Sequence, residues 1–168
     1  MATKLRQKHN KWLKKILKHK KFGIVLNLGC GRDKDSEGHS YKSYINCKKM
    51  IRVDPDPKFK KKVDFNAKGE DIPLGDASID LVFMNWSFYI TDMPIVLSEI
   101  CRVLRKDGKV LISYADHNYD KIVARKKVAD IRSLLESRII IKKVFENEAY
   151  GIPGGFFQKA EAIYGVLK

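Results

Sequence analysis

Two short stretches carry residue types that together could hold a nucleoside. Residues 24–31 read Ile-Val-Leu-Asn-Leu-Gly-Cys-Gly, an apolar run that ends in a glycine-rich turn at Gly29, Cys30 and Gly31. Residues 50–57 read Met-Ile-Arg-Val-Asp-Pro-Asp-Pro, a second apolar run that ends in Asp54. A strand that stops at glycines lets the backbone approach a ligand closely, because no side chain stands in the way. A carboxylate at the tip of the neighbouring strand can accept both hydroxyls of a ribose. The pair describes a nucleoside cofactor lying across the ends of a parallel sheet. Arg32, Asp33 and Lys34 follow the turn, so no third glycine precedes a helix. A pyrophosphate needs that glycine and a helix N-terminus. A dinucleotide is therefore disfavoured, and a ligand with an amino-acid tail in place of phosphates fits better.

The elements that must position these residues follow from periodicity. Residues 3–21 have helical spacing, with Leu5, Trp12, Leu13, Ile16 and Leu17 near one face, lysines elsewhere, and His9 and His19 expected at the surface. Residues 22–28 and 50–53 read as the first two strands, with a polar loop over 32–43 and the end of a short helix over 44–48 between them. Residues 60–65 read as a short third strand and 79–84 as a fourth, buried one. Residues 91–104 repeat apolar positions at helical spacing, with Asp92 or Thr91 able to cap and Pro94 tolerated in the first turn. A fifth strand is expected over 109–114, a helix over 120–136, and two last strands over 138–144 and 156–167. Strands alternating with helices predict an open parallel sheet covered on both faces, and the last pair predicts an antiparallel hairpin at one edge. The expected fold is a three-layer α/β/α sandwich with a mostly parallel seven-stranded sheet. At 168 residues one domain is expected. It divides into a basic N-terminal helix (1–21), a cofactor-binding half (22–115), and a substrate-side half with the closing hairpin (116–168).

Lysine and arginine outnumber aspartate and glutamate 34 to 20, a net charge of +14. That balance suits a polyanionic partner such as nucleic acid. The excess is mostly lysine in a chain also rich in isoleucine, a bias that an AT-rich genome produces with no partner at all. Cys30, Cys47 and Cys101 form neither a CxxC pair nor a Cys/His ligand set, so neither a disulfide framework nor a metal site is expected. No apolar segment is long enough to span a bilayer, and the charged N-terminus lacks the core of a secretion signal, so a cytoplasmic location is expected.

Later segments add a family resemblance. Glu70-Asp71-Ile72-Pro73-Leu74, then Asp76 to Ser78 and Ile79-Asp80-Leu81-Val82, resemble a stretch of the class I S-adenosylmethionine-dependent methyltransferases. The run from Glu99 through Arg102-Val103-Leu104 and Asp107-Gly108 to Ile112 resembles their helix–turn–strand, in the methyltransferase type 11-like branch. With the two opening motifs, the resemblance runs from about Val25 to Tyr114. It implies S-adenosylmethionine as cofactor. Asn27, Gly29, Cys30 and Gly31 would lie by its methionine part, Asp54 with Pro55 at the ribose, and Gly69, Glu70 and Asp71 around the adenine. Asn85 and Trp86 would line the pocket near the sulfonium, with Phe88 and Tyr89 covering it. The chain departs from the pattern at Asn27, where relatives often carry a carboxylate, and at Lys68, where many carry an aspartate on the adenine amine. Asn85-Trp86-Ser87-Phe88 lacks the prolines of one amino-methylating motif.

For a general base, the candidates lie past the fifth strand: Asp116, His117 and Tyr119, with His117 the leading one. The acceptor stays open between RNA and a small metabolite. A homodimer or a partner protein is expected where so small a chain must complete its pocket. The rival reading is a non-catalytic module of the same fold that binds nucleic acid or a protein.

Overall fold

Nearly every residue of the strand that begins at Phe22 is apolar because both of its faces are covered. The computed structural model describes residues 2–34, 38–85, 87–88, 91–115, 128–152 and 156–168, with the backbone alone for 2–6, 115, 128, 147–152 and 156–160. Helix α1 (Ala2–Leu17) leads into β1 (Phe22–Leu28), and β2 (Cys47–Val53) follows a polar loop. Then come β3 (Ile79–Asn85), α2 (Met93–Val103), β4 (Leu104–Ala115), α3 (Val128–Glu136), β5 (Ile139–Ile152) and β6 (Phe156–Leu167). The strands form one sheet in the order β2-β1-β3-β4-β6-β5. The first four are parallel, and β6 runs antiparallel between β4 and β5.

Side chains alternate across the strands and build two cores. On one face, Leu26, Leu28, Val82, Met84, Val110 and Ile112 pack under Val96, Ile100 and Val103 of α2 and Ile131 and Leu135 of α3. On the other, Val25, Leu81, Phe83 and Leu111 pack under Leu13 and Leu17 of α1, joined by Tyr41 and Ile45 from the loop before β2. This is the expected three-layer sandwich with its antiparallel closing pair. Helix α2 starts as its sequence suggests: the Asp92 carboxylate caps it, with Pro94 in the first turn.

Three local expectations are corrected. The sheet has six strands among the described residues, not seven, because residues 60–65 contribute a single bridge from Val53 to Phe65. There the backbone bonds locally, Lys60 N–H to the Pro57 carbonyl and Lys62 N–H to that of Phe59, and the run Lys60-Lys61-Lys62 offers no apolar alternation. In place of a helix over 44–48, a 3₁₀ turn at Tyr41–Ser43 is capped by Ser40, and β2 begins at Cys47. Strand β5 runs on to Ile152, since the antiparallel ladder with β6 continues through Glu146↔Glu161 and Asn147↔Ala160. Residues 120–127, the front of the expected helix, lie outside the described residues.

His9 is also corrected: it is fully buried, not at the surface. It lies on the 9–13–17 stripe of α1, four residues from Leu13 and eight from Leu17, so it shares the face that meets the sheet. Its Nε2 lies 2.8 Å from Ser113 Oγ on β4, between the rings of Trp12 and Phe145. On the opposite face, the buried Tyr114 hydroxyl donates to Glu161 of β6 at 2.8 Å, and Arg132 of α3 reaches the same carboxylate at 3.6 Å. That contact ties α3 to the closing pair.

Burial pulls the His9 imidazole from 6.5 down to about 3, so it is neutral in the fold and charged in the acid-unfolded chain. Stability is then full above pH 6.5 and falls as pH drops toward 3. Between pH 7.5 and 5.5 the loss is expected to be about 1.4 kcal/mol. Urea denaturation at the two pH values should show this loss in the native protein and almost none in His9→Gln. Equal losses in both would remove His9 as the cause.

Candidate functional site

The C-terminal ends of β1 and β2 are fastened together by their own main chain. The Val53 carbonyl accepts the N–H groups of Gly29 (2.8 Å) and Cys30 (3.3 Å). Asp54, one residue on, turns its carboxylate back across the gap. Its Oδ2 accepts the Gly31 N–H at 2.7 Å and its Oδ1 accepts the Asp56 N–H at 2.9 Å. Gly29 and Gly31 stand at φ +67° and +50°, where a Cβ is strained. A Cβ on Gly29 would also strike Ser87, whose own Cβ would lie 2.7 Å away. The two glycine-dependent bends and the acidic strand tip, read separately from sequence, are one hydrogen-bonded unit.

This unit fits an adenosyl cofactor. Asp54 is only 7% exposed, yet each carboxylate oxygen has a second acceptor position beyond the N–H it already holds. Two adjacent ribose hydroxyls can therefore bond there without undoing the turn. The thiol of Cys30, between the glycines, is pushed up to about 12 by burial and by the charges of Asp54 and Asp33. It stays protonated, so it is not a thiolate nucleophile.

Asn27 is buried beneath the turn and donates to Asp33 Oδ1 at 2.6 Å. Asp33, at φ +51°, also accepts from Arg52 Nε at 3.2 Å and Ser40 Oγ at 3.1 Å. A carboxylate thus stands beside position 27 after all, carried by the loop instead of the strand. Sequence reading missed it, although Asp33 is only two residues past Gly31.

The segment around Gly69, Glu70 and Asp71 is fixed from α2. Gly69 is buried against Val96, Glu70 Oε1 accepts the Asp92 N–H at 2.9 Å, and Asp71 is exposed. Just beyond, Arg102 donates to Glu99 through Nε and Nη2, both at 2.7 Å, to the carbonyls of Leu74 (2.8 Å) and Ile72 (2.9 Å), and to Asp76 (2.8 Å). Glu99 in turn accepts the Ile72 N–H at 2.9 Å. Hydrogen bonding from Arg102 holds the Glu99 carboxyl below its usual range, and the Ile72 N–H adds to this against the opposing effect of burial. The Glu-x-x-Arg of the sequence motif is therefore a clamp on the loop, not a reactive pair.

At the tip of β3, Asn85 donates through Nδ2 to the Tyr41 hydroxyl at 2.5 Å. Tyr41 had no place in the sequence reading, and Ser87 entered it only as a motif position that lacks proline; the glycine at 29 was the one hint of its contact. Phe88, expected to cover the pocket, is fully buried in the core with Met93 and Val96. Pro55 is exposed beside Asp54. Trp86, Tyr89, Asp116, His117 and Tyr119 lie outside the described residues. Among the described residues there is no cluster of three His, Cys, Asp or Glu that could hold a metal, and no helix long and apolar enough to cross a membrane.

A family model described as a methyltransferase domain matches residues 26–112. A comparison with curated proteins finds no match. Among solved structures, a putative methyltransferase from Bacillus halodurans is similar at 13% identity, over 94% of this chain and 97% of that one, with a TM-score of 0.70. A Haloferax volcanii putative methyltransferase complexed with the activator Trm112 gives 16%, 98% and 91%, and 0.70. A SAM-dependent methyltransferase from Aquifex aeolicus gives 19%, 86% and 82%, and 0.58. At such identities these likenesses are of fold. The family match spans more than half of the sequence and takes in both strand-end bends: the chain belongs to the methyltransferase domain family, and its cofactor is S-adenosylmethionine.

Proposed function

We propose that this chain transfers the methyl group of S-adenosylmethionine to an acceptor, RNA or a small metabolite. The observation that carries the reading is the Asp54 carboxylate, anchored to Gly31 and Asp56 yet able to accept two more hydrogen bonds. In this reading the backbone of Gly29, Cys30 and Gly31 lies along the methionine part, above Asn27 and its carboxylate neighbour Asp33. Asp54 takes the ribose hydroxyls with Pro55 at its side, and Gly69, Glu70 and Asp71 flank the adenine. Asn85 lies at the sulfonium end, to which Trp86, next in the chain, is also assigned. Asn85 Oδ1 is buried and has no hydrogen-bond partner among the described residues. An orphaned acceptor costs about 1–3 kcal/mol, which a donor on the ligand or acceptor would relieve.

When bound, the cofactor supplies a methyl group on a cationic sulfur that departs as a neutral thioether while the acceptor's lone pair takes the methyl carbon. The protein's part is alignment and exclusion of water, which can supply roughly 7–11 kcal/mol of the barrier. Where an O–H or N–H proton must leave the acceptor, Asp116, His117 and Tyr119 follow β4 and are the groups proposed to receive it. The Haloferax relative was solved with an activator protein, which supports a partner protein here as well.

Titration calorimetry is expected to show binding of both S-adenosylmethionine and S-adenosylhomocysteine. If neither binds while RNA does, the non-catalytic reading replaces this one. Asp54→Ala loses two bonds to a charged acceptor, worth about 1.5–3 kcal/mol each, and should weaken cofactor binding by roughly 100-fold or more. Unchanged affinity would take Asp54 out of the site. Radiolabelled methyl incorporation into fractionated RNA, protein and metabolite pools identifies the acceptor.

Arg102→Lys leaves one ammonium to replace a fork that holds two carbonyls and two carboxylates, and should cost about 1–3 kcal/mol of stability. Cofactor affinity should fall with it, as the 72–76 loop loosens. Since Glu99 titrates below its ordinary 4.5 in the fold, the clamp is intact above that value and is lost as pH falls through the lower one. The gap in melting temperature between the native protein and the variant, full at pH 7, should therefore begin to narrow below pH 4.5 and close as pH falls through the lower value. A constant gap would show that the clamp does not depend on the Glu99 charge.

A further inference from the structure

At the end of the sheet opposite the Gly29 and Asp54 bends, a cavity of about 450 Å³ opens where β1, β3 and β4 begin. Lys21, Arg105, Lys106 and Lys109 line it, with Asp80 and Asp107. Asp80 is committed: it accepts the Ile24 N–H at 2.5 Å and Arg105 Nη1 at 2.6 Å. Lys109 is held over the cavity by one bond from Nζ to the Asp107 carbonyl at 2.5 Å, which leaves its other two N–H donors. Three ammonium groups then face one remaining carboxylate in a concave site.

Helix dipoles account for only part of the positive charge at this edge. The helices α1, α2 and α3 all end here, and a cation within the last turn complements a helix C-terminus. Lys14, Lys15 and Arg102 occupy those last turns. Lys21 lies four residues past α1, and Lys106 and Lys109 lie three and six past α2, beyond the reach of that effect. The charge also continues along the edge. Arg138 precedes β5, and its carbonyl accepts the N–H of Lys168, at the end of β6. From β1 to β5 the edge crosses four strand spacings, roughly 19 Å at about 4.8 Å each. Along the axis of a DNA duplex each strand carries one phosphate per roughly 3.4 Å, so an edge of this length can meet several.

We propose that this edge is a binding surface for the phosphodiester backbone of a nucleic acid, with one phosphate seated in the cavity between Lys21, Lys106 and Lys109. It does not rest on the methyl-transfer reading. Strand β1, seven residues at about 3.3 Å each, separates it from the cofactor bends by roughly 20 Å.

The test is fluorescence anisotropy of a labelled 20-nucleotide RNA across a potassium chloride series, with the native chain, Lys21→Gln/Lys106→Gln, and the control Lys60→Gln/Lys61→Gln from the turn after β2. The logarithm of affinity should fall linearly with the logarithm of salt. The edge variant should flatten that slope by about 0.7, the loss of the one phosphate seated in the cavity. The control should leave the slope as it was, and calorimetry of the edge variant should give unchanged S-adenosylmethionine affinity. An equal flattening by the control, no RNA binding by the native chain, or binding to phosphatidylserine vesicles in place of RNA would each overturn the proposal.

Discussion

The fold's functional end depends on one carboxylate. Asp54 accepts the N–H of Gly31 across the gap between β1 and β2 and the N–H of Asp56 within its own turn. Parallel neighbours share no turn at this end, so each strand tip would otherwise leave its outgoing backbone to water. The Val53 carbonyl and the Asp54 carboxylate together take up the N–H groups of Gly29, Cys30 and Gly31. A ligand that uses the remaining acceptor positions of Asp54 meets a site already assembled, so little ordering cost is charged against its binding.

That preorganisation also explains the residues around it. Gly29 lacks a side chain because Ser87 occupies the place a Cβ would need, and Ser87 sits there while donating to the Leu28 carbonyl at 3.3 Å. Asn27 cannot reach past the turn as a long side chain would, and the charge at this position comes from Asp33, balanced by Arg52 on the edge strand. Loop, first strand and second strand are thus linked by one polar network beneath the bends. A neutral asparagine under full burial is the less costly choice there, because a buried carboxylate at 27 beside Asp33 would set two like charges together.

What could be read from sequence was what has a local cause. Strands β1 and β3 announce themselves as continuous apolar runs, α2 by its Asp92 cap and Pro94, and the cofactor bends by glycines that the backbone requires. The failures have non-local causes. Residues 60–65 carry β-compatible types at their end, but their N–H groups find partners within the turn and on Arg52, so no ladder forms beyond Phe65. The continuation of β5 to Ile152 is imposed by β6, whose register supplies partners to a polar stretch that shows no strand pattern of its own. His9 looked like a surface residue because its type is polar; its position, on the stripe of Leu13 and Leu17, was the better guide. Asp33 and Tyr41 enter the site through loop geometry that spacing does not encode.

The Glu-x-x-Arg motif separates family signature from chemistry. In sequence its two side chains are an acidic and a basic residue at i, i+3, part of a helix–turn–strand resemblance. In the fold Arg102 donates to the carbonyls of Ile72 and Leu74, while Glu99 accepts the Ile72 N–H. A charged pair at i, i+3 on an exposed helix contributes little by itself. Its value here comes from the backbone it satisfies, since a loop without secondary structure must find partners for its polar groups elsewhere. An arginine fork can bond a carboxylate and two carbonyls at once; a lysine cannot. The motif is read so clearly in sequence because one pair of side chains on α2 satisfies the backbone of a loop without secondary structure.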